Sequence, residues 1–318
     1  MQGTNRRYRL EFGKALNLSD VEDLSDLQLF VPDRELTVQS RVLTDHQIKF
    51  DVDKTASGAQ NKSEIILTNI SNDMWQFINA STGQELYVKL EAATNEAPLQ
   101  TIALGQVVSV KDTFEGTDRT TEIKFNDGYS PTKESTSDLS FRANEPYRNI
   151  LRALRDDMRL PWGVYEEPPI RVVSEAPWSF SGNTAEGFRR VAKEINYRYN
   201  VTDGKINFVD RHASSLTTVA EYNERSGLIG SPAALDKTAG IKQGSTEQAT
   251  GIRFKVLLDG RLTVDSLVVI DSEQFEGTYR LSKVKHTGEF RGNPWYTECE
   301  ALKTPTDIRN PIFDFIGV

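Results

Sequence analysis

Hydrophobic and polar positions alternate in short stretches along the first 130 residues. The stretch at residues 8–12 alternates up to Gly13, and residues 47–52 alternate strictly over six positions. A period of two is typical of a strand that buries one face. Residues 64–70 are apolar more continuously, which predicts a strand covered on both sides. Further strands are predicted at residues 85–91, 99–111 and 120–126.

A short helix is predicted over residues 71–78, where the β pattern is interrupted. Ser71 is a suitable N-cap, because its hydroxyl can accept a hydrogen bond from an amide of the first turn. At helical spacing, Trp75 and Phe77 indicate core packing more than an exposed stacking platform. Gly105 is a glycine inside a strand pattern and predicts a β-bulge.

The middle of the chain changes to a helical period. The polar stretch at residues 130–138 predicts a linker. After it, Asn144 and Pro146 predict the start of a helix, since a capping residue and an early-turn proline stand in the expected order. Apolar residues between positions 150 and 158 form one stripe along that helix.

A second helix is predicted to begin at Asn183. Glu186 follows three residues later, which resembles a capping box, and apolar residues recur at helical spacing up to residue 199. A short strand is expected at residues 206–209, after a turn. The middle of the chain is therefore predicted to be a small α+β region.

The strand pattern returns from residue 251. Two apolar stretches, 254–258 and 261–264, flank Asp259–Gly260 and predict a hairpin, because this dipeptide accepts the positive φ of a type I′ turn. Residues 279–286 and 295–302 form another predicted strand pair.

The composition is that of a folded, acidic protein. The chain has 318 residues, 37% of them hydrophobic and 26% charged, with a net charge of −8, and this length predicts two or three domains. An acidic balance argues against tight wrapping of nucleic acid, which requires a basic surface. No apolar stretch has the length of a membrane span or follows the first residues as a signal peptide would.

The residues that bear chemistry form no recognisable catalytic or metal-binding pattern. The single Cys299 excludes an intrachain disulfide, and the three histidines lie far apart, so no zinc site is predicted. The carboxylate pairs Asp156–Asp157 and Glu166–Glu167 are interpreted as solvated charges, although a glycosidase needs such pairs. His286 is predicted to be a packed or hydrogen-bonded structural residue. We therefore expect no catalytic residue, no cofactor and no metal.

Two stretches of the chain carry a resemblance to a known family. The first joins the strand at residues 8–12 to residues 61–71, Asn-Lys-Ser-Glu-Ile-Ile-Leu-Thr-Asn-Ile-Ser, a strand that enters a short helix. The second is residues 277–288, Gly-Thr-Tyr-Arg-Leu-Ser-Lys-Val-Lys-His-Thr-Gly, followed by Trp295. These stretches resemble the baseplate hub family of contractile phage tails, which is related to the hub part of type VI secretion spikes. Glu289 stands where the family usually has aspartate.

The resemblance implies a homotrimer that joins a hexameric tail tube to a trimeric central spike. Each subunit would contribute two tube-like barrels, so that six barrels surround a central channel through which DNA passes without tight binding. The implied partners are the tail tube protein, the central spike protein, and other baseplate wedge and tape-measure proteins. The implied location is the tail baseplate of a virion, assembled in the host cytoplasm.

The expected fold is mainly β with an α+β insertion: two small tube-type β-barrels flank an α+β middle domain. The expected boundaries are 1–138 for the first barrel, 139–226 for the middle domain, 227–304 for the second barrel and 305–318 for a docking tail.

The candidate interface residues lie in two loops and in the tail. The loops at residues 111–119 and 287–293 are expected at the barrel rims, where Arg119 and Arg291 contact the tube or the spike. Phe313 and Phe315 of the tail are expected to dock onto a neighbour.

Two other functions remain open at this point. A small β-rich carbohydrate-binding adhesin at a tail tip would bind glycans as a monomer, through exposed aromatic residues. A cell-wall hydrolase would use paired carboxylates in a groove. Self-association distinguishes the hub from both, and glycan binding or peptidoglycan turnover distinguishes them from each other.

Overall fold

The computed structural model describes residues 5–14, 40–56, 61–81, 86–127, 129–211, 218–235 and 251–303. Strands hold 56% and helices 15% of the structure, which confirms the predicted mainly β class. No helix in these ranges has the length and apolar character needed to cross a bilayer.

The first β region contains seven strands and one helix. Its core is a buried apolar cluster to which nearly every strand contributes alternate residues. The elements are β1 (Arg6–Lys14), β2 (Arg41–Leu43), β3 (Gln47–Thr55), β4 (Lys62–Thr68), α1 (Asn72–Ser81), β5 (Leu86–Thr94), β6 (Gln100–Glu115) and β7 (Asp118–Asn126).

The middle region is α+β, as predicted, and has its own apolar cluster. The elements are α2 (Tyr129–Glu134), β8 (Thr136–Phe141), α3 (Tyr147–Met158), β9 (Trp162–Tyr165), β10 (Trp178–Asn183), α4 (Thr184–Glu194), β11 (Tyr197–Thr202) and β12 (Lys205–Asp210). Helix α4 packs on β11 of a three-stranded sheet of order β11-β12-β9, α3 packs against α4 and β8, and β8 pairs with β10.

The second β region encloses a third apolar cluster. Its elements are β13 (Thr218–Asn223), β14 (Ala233–Ala234), β15 (Gly251–Leu257), β16 (Leu267–Asp271), β17 (Glu276–Glu289) and β18 (Trp295–Lys303).

One thirteen-stranded sheet runs through both β regions. Its main path is β14-β15-β18-β17-β3-β4-β7-β6-β5-β1-β2, and β16 and β13 branch from β17. The long strand β17 makes the connection, because one edge pairs first with β16 and then with β3 while the other pairs with β18. The surface of the sheet is thus continuous between the two regions.

The predicted helix starts at Ser71 and Asn183 are confirmed. The Ser71 hydroxyl accepts a bond from the Met74 amide at 3.1 Å, and Asn183 Oδ1 accepts one from the Ala185 amide at 3.0 Å. Trp75 and Phe77 pack against the first core, as expected of a helix with a buried face. Local capping chemistry therefore determines where these helices begin.

The predicted Asp259–Gly260 hairpin is wrong. Residues 258–266 form turns, and β15 pairs with β18 instead of with a returning strand. Asp259 is buried and accepts a 2.6 Å bond from the Tyr222 hydroxyl, while Leu262 is fully buried. The segment closes the end of the apolar cluster in the second β region. The burial of its residues therefore outweighs the local preference for a hairpin turn.

Two further predictions need correction. The stretch at residues 130–138 is not a linker, because it contains most of α2 and the first half of β8, and Ser137 is buried at 2.9 Å from the Thr184 hydroxyl. Gly105 does not form a bulge: the unpaired positions in β6 are Ile102 and Val108. Gly105 is required for a different reason, since a Cβ there would lie 2.8 Å from the Asn126 carbonyl oxygen.

Candidate interaction surfaces

Arg119, a predicted interface residue, lies buried beneath the β6–β7 hairpin. Its guanidinium donates through Nε to Asp112 Oδ2 at 2.8 Å and through Nη1 to Asn72 Oδ1 at 2.8 Å. The guanidinium carbon also lies 4.7 Å from the centre of the Trp75 ring. Arg119 thus joins helix α1 to the hairpin. Its contact with the tube or spike stays a prediction, but its charge is already neutralised within the subunit.

Arg291, the second predicted interface residue, is exposed in the β17–β18 turn. Its Nη2 donates to the Asp45 carbonyl at 3.2 Å. Arg6 stabilises the backbone of the same turn, because its Nη1 donates to the Glu289 carbonyl at 2.8 Å and also to the Gly292 carbonyl. The turn therefore presents Arg291 from a fixed backbone. Phe313 and Phe315 lie outside the described residues.

Three of the four carboxylates that invited an enzymatic interpretation have basic or backbone partners. Arg152 Nη2 lies 2.6 Å from Glu167 Oε1, and Arg155 Nη2 lies 2.9 Å from Asp156 Oδ1. Glu166 Oε2 accepts a bond from the Asp210 amide at 3.3 Å. Across the described ranges, no group of three or more His, Cys, Asp or Glu side chains is placed to hold a metal ion.

The solvent-facing side of the continuous sheet carries alternating charges, and we call this surface the charged face. It crosses six strands, from β15 through β18, β17, β3 and β4 to β7, and therefore spans both β regions. The side chains that pair on it are Arg253, Lys255, Glu298, Glu300, Lys283, Lys285, Asp51, Asp53, Glu64, Lys124 and Glu122.

The sign of the charge changes from strand to strand over the first four strands of the charged face. Among the ion-paired side chains, those on β15 are basic, those on β18 acidic, those on β17 basic and those on β3 acidic. This follows from the register that places Lys255 opposite Glu298 and Glu298 opposite Lys285. The Lys255–Glu298 and Lys285–Asp51 ion pairs measure 2.8 Å each. Opposite charges on neighbouring strands stabilise the pairing, whereas like charges directly opposite would weaken it.

The paired side chains of the charged face nearly balance in charge. Five of its paired side chains are basic and six are acidic. Glu64 and Glu122 are neighbouring acidic side chains on this face. Burial and the nearby Glu122 raise the pKa of Glu64. Exposed ion pairs contribute about 0–1 kcal/mol each. The arrangement therefore determines the surface potential more than the stability of the fold.

A buried polar joint connects the middle region to the first β region. Lys54 on β3 is 1% exposed, and its Nζ lies 2.6 Å from Asp203 Oδ2 in the β11–β12 turn. Asp203 Oδ1 accepts a bond from the Leu104 amide at 3.2 Å. Asn61 Nδ2 donates to the buried Asp127 carboxylate at 3.0 Å. Burial and the nearby Asp203 carboxylate raise the pKa of Asp127 to about 7.

His286 lies within the second β region and is fully buried. Its Nδ1 lies 2.9 Å from the Thr297 hydroxyl, which confirms the predicted structural role. Burial lowers the pKa of His286 to about 3, and the positive charge of Lys54 acts in the same direction. The imidazole is therefore neutral at physiological pH.

A second joint links the middle region to the second β region. Arg198 Nη2 on β11 lies 2.6 Å from Asp265 Oδ1, and Asn200 Nδ2 donates to Asp265 Oδ2 at 3.1 Å. Asp265 is fully buried, and this burial raises its pKa. The middle region is thus held on both sides by buried polar contacts. The sequence did not indicate either joint, because the partners are far apart along the chain.

The charged face also escaped the sequence analysis, although a signal for it exists. Two charged residues of the same sign stand two positions apart on each of β3, β15, β17 and β18, and that spacing is visible in the sequence. Which strands are neighbours was not visible, so the matching of basic and acidic columns required the structure.

The fold is that of phage-tail and type VI secretion proteins. The chain is similar to the tail protein from Neisseria meningitidis MC58, with a TM-score of 0.59, 8% identity, and coverage of 93% of this chain and 96% of that one. It is similar to the 43 kDa tail protein of prophage MuSo2 from Shewanella oneidensis, with a TM-score of 0.56, 8% identity, and coverage of 83% and 94%.

A third similar structure is the E. coli c3393 protein, a type VI secretion component described as similar to the T4 bacteriophage tail proteins gp27 and gp5. Its TM-score is 0.54 at 11% identity, with coverage of 82% of this chain and 74% of that one. No family model matches the sequence, and no curated protein matches it.

Proposed function

We propose that this chain is a non-enzymatic baseplate hub: a homotrimeric adaptor that joins a hexameric tail tube to a trimeric spike and forms part of the DNA channel. The shared fold supports the assignment to a phage-type tail. The charged face supports the channel, and the two β regions within one chain support the adaptor role.

Two β regions in each chain allow a trimer to match both a hexameric tube and a trimeric spike. Three copies of the chain present six β regions, which match a hexameric tube on one side, while the chain itself repeats three times for a trimeric spike. Each region has its own apolar core, and β17 keeps the two in one sheet. A symmetric adaptor needs two different docking surfaces, and two non-identical regions provide them.

The charged face is the observation that carries the channel assignment. It is the solvent-exposed surface that continues from one β region to the other without interruption. A channel wall must let DNA pass without holding it. Affinity for DNA rises with each phosphate that a basic side chain neutralises. On this face Arg253, Lys255, Lys283 and Lys285 already have acidic partners, so these four cations are less free to bind phosphates.

The partners and location follow from this role. We propose that the tube protein, the spike protein, and wedge and tape-measure proteins contact the chain in the virion baseplate, and that the hub assembles in the host cytoplasm. Arg291, held on its fixed turn, remains a candidate contact at the end of the sheet.

Imaging tests the architecture. Tail particles that carry this chain with a small terminal tag are labelled at the tag and averaged by electron microscopy. We expect a threefold ring of labels where the tail tube meets the spike. Labels elsewhere on the particle, or a ring with another symmetry, would contradict the proposal.

Charge substitutions test the channel wall. The variant Glu298→Lys with Glu300→Lys removes the acidic column of β18 between two basic strands. We expect about tenfold tighter DNA binding, because several cations lose their partners, and slower DNA ejection from assembled particles. A matched control places two lysines on the middle region, as Glu175→Lys with Glu186→Lys, since both glutamates are exposed there. If both variants ejected DNA at the same rate, the charged face would not line the channel.

A further inference from the structure

Helix α3 of the middle region carries a row of arginines, which we call the arginine stripe: Arg148, Arg152, Arg155 and Arg159. The first three lie within about 60° of one another around the helix axis, because an α-helix turns by about 100° per residue. Arg159 follows them as the C-cap. The apolar side of α3 is buried in the core of the middle region, so the stripe is left partly or fully exposed.

The arginine stripe has fewer acidic partners than guanidinium groups. The Glu167 carboxylate lies 2.6 Å from Arg152 Nη2 and is shared with Arg148 Nη1 at 3.9 Å. Asp156 lies 2.9 Å from Nη2 of the adjacent Arg155. Each guanidinium group has five N–H donors, so two carboxylates leave donors that further acidic groups can use.

A turn beside α3 presents two more exposed side chains, Ile170 and Arg171. The Val172 amide donates to the Pro169 carbonyl at 2.8 Å, so Ile170 and Arg171 occupy the two corners of a β-turn. The Tyr147 amide donates to the Val172 carbonyl at 3.1 Å, which fixes the turn to the start of α3. Ile170 is 60% exposed. An apolar side chain on a fixed backbone loses less conformational entropy when it binds, which favours it as a contact.

The stripe and the turn together form a local excess of positive charge. Arg159 and Arg171 form no ion pair with any residue that the structure describes. The excess stands out on a chain whose net charge is −8. The planar guanidinium group binds carboxylate and phosphate groups through two parallel hydrogen bonds, and arginine is enriched among residues that dominate protein interfaces.

Two features favour the carboxylates of a protein over the phosphates of a nucleic acid. Asp156 and Glu167 lie within the stripe, where they would repel a continuous phosphate backbone, whereas a protein can place its acidic groups only opposite the arginines. Ile170 adds an exposed apolar contact, which is typical of a surface that binds protein.

We infer that the arginine stripe and the turn at Ile170 and Arg171 bind an acidic segment of another tail protein. The carboxylates of that segment pair with the arginines, and an apolar side chain of it packs on Ile170. The inference rests on the proposed function in one respect, namely that the partner belongs to the tail. Complementary charges of this kind determine which partner binds and how fast it associates.

Photocross-linking in assembled tail particles tests the contact. Ile170 is replaced by the photoreactive residue p-benzoylphenylalanine, and mass spectrometry identifies what it reacts with. We expect an adduct to an acid-rich segment of another protein. The additional substitutions Arg155→Gln and Arg159→Gln should lower its yield about tenfold or more, because they remove charges that pair with that segment. They leave the ion pair between Arg152 and Glu167 in place.

Two controls separate this contact from a general effect of charge. Arg189→Gln with Lys193→Gln removes two exposed positive charges from α4 in the same region, and the yield of the adduct should not change. The photoreactive residue at position 99 replaces Leu99, which is 40% exposed in the first β region. Adducts from that position should not depend on Arg155 and Arg159.

The inference would be overturned if Ile170 gave no adduct, if it reacted with DNA or with a copy of this chain, or if the arginine substitutions left the yield unchanged. The proposed function would survive such a result if the same particles showed the threefold ring of labels. An arginine-dependent adduct in particles without that ring would retain this contact and remove the hub assignment.

Discussion

Lys54 Nζ and Asp203 Oδ2 lie 2.6 Å apart in the joint between the first β region and the middle region. Lys54 is almost fully buried, so removing Asp203 would leave its charge without an acidic partner at that distance. We expect Asp203→Asn to lower the free energy of unfolding by about 3 kcal/mol, because an uncompensated buried charge is costly. Urea denaturation followed by tryptophan fluorescence measures the change.

Asp51→Asn is the matched control for this prediction. It removes an ion pair of similar length, between Asp51 and Lys285, but on the exposed charged face. The expected loss is below about 1 kcal/mol, because solvent screens the interaction. Equal losses in the two variants would show that the joint is not a specific stabilising contact.

Asp127 should make stability depend on pH. Its folded-state pKa of about 7 lies above the usual value of 3.8, so the folded protein holds a proton that the unfolded chain releases. The stabilising contribution is therefore complete below pH 4 and is lost as the pH rises toward 7, by at most about 1.4 kcal/mol per pH unit.

Asp127→Asn cannot titrate and should lack this contribution. We expect the difference in unfolding free energy between the variant and the wild type to shift in favour of the variant between pH 4.5 and pH 7. Urea melts at half-unit intervals of pH measure it. Parallel curves for the two proteins would show that Asp127 is ionised in the folded state throughout this range.

Arg119 and Arg291 should behave differently when each is replaced by methionine. Arg119 bonds Asp112 and Asn72 beneath the hairpin, whereas Arg291 makes one exposed bond to a carbonyl. We expect Arg119→Met to cost about 3 kcal/mol of stability, because it leaves Asp112 without its buried partner. Arg291→Met should change stability by less than about 0.5 kcal/mol. Thermal unfolding of both variants checks this, and similar melting temperatures would contradict it.

Gly288 should tolerate no larger residue beside Phe50. A Cβ on Gly288 would lie 2.2 Å from Phe50 Cζ, at the place where β17 pairs with β3. We expect Gly288→Ala to cost about 1–3 kcal/mol through overpacking. In the double variant with Phe50→Leu, the smaller side chain leaves room, so the loss should be less than the sum of the two single losses. Additive losses would mean that the ring does not oppose the new methyl group.

Local sequence signals predicted several elements correctly. The strict alternation at residues 47–52 falls within β3, and Asn183 begins α4 as its capping chemistry requires. The hairpin at Asp259 failed for a clear reason. A two-residue turn signal is weak compared with the burial of Leu262 and the hydrogen bond from Tyr222, which lies 37 residues away.

The predicted interface residues show the same difference between local sequence signals and tertiary burial. Residues 111–119 were predicted to form an interface loop because they are polar. They form the β6–β7 hairpin instead, and the guanidinium of Arg119 donates to Asp112 and Asn72 of the same subunit. Phe114, the most exposed large hydrophobic residue in the described ranges, was not singled out, because an apolar residue in a strand pattern predicts burial. Exposure depends on whether a neighbouring strand is present, and that is a property of the sheet.

The sequence by itself determined the mainly β class, the α+β middle and the starting points of two helices, because periodicity and capping act within a few residues. Only the tertiary structure decided that one sheet unites the two β regions, that basic and acidic columns alternate across it, and that Lys54 meets Asp203. These features depend on strand order and register, which bring together residues as far apart in the chain as Lys49 and Glu289.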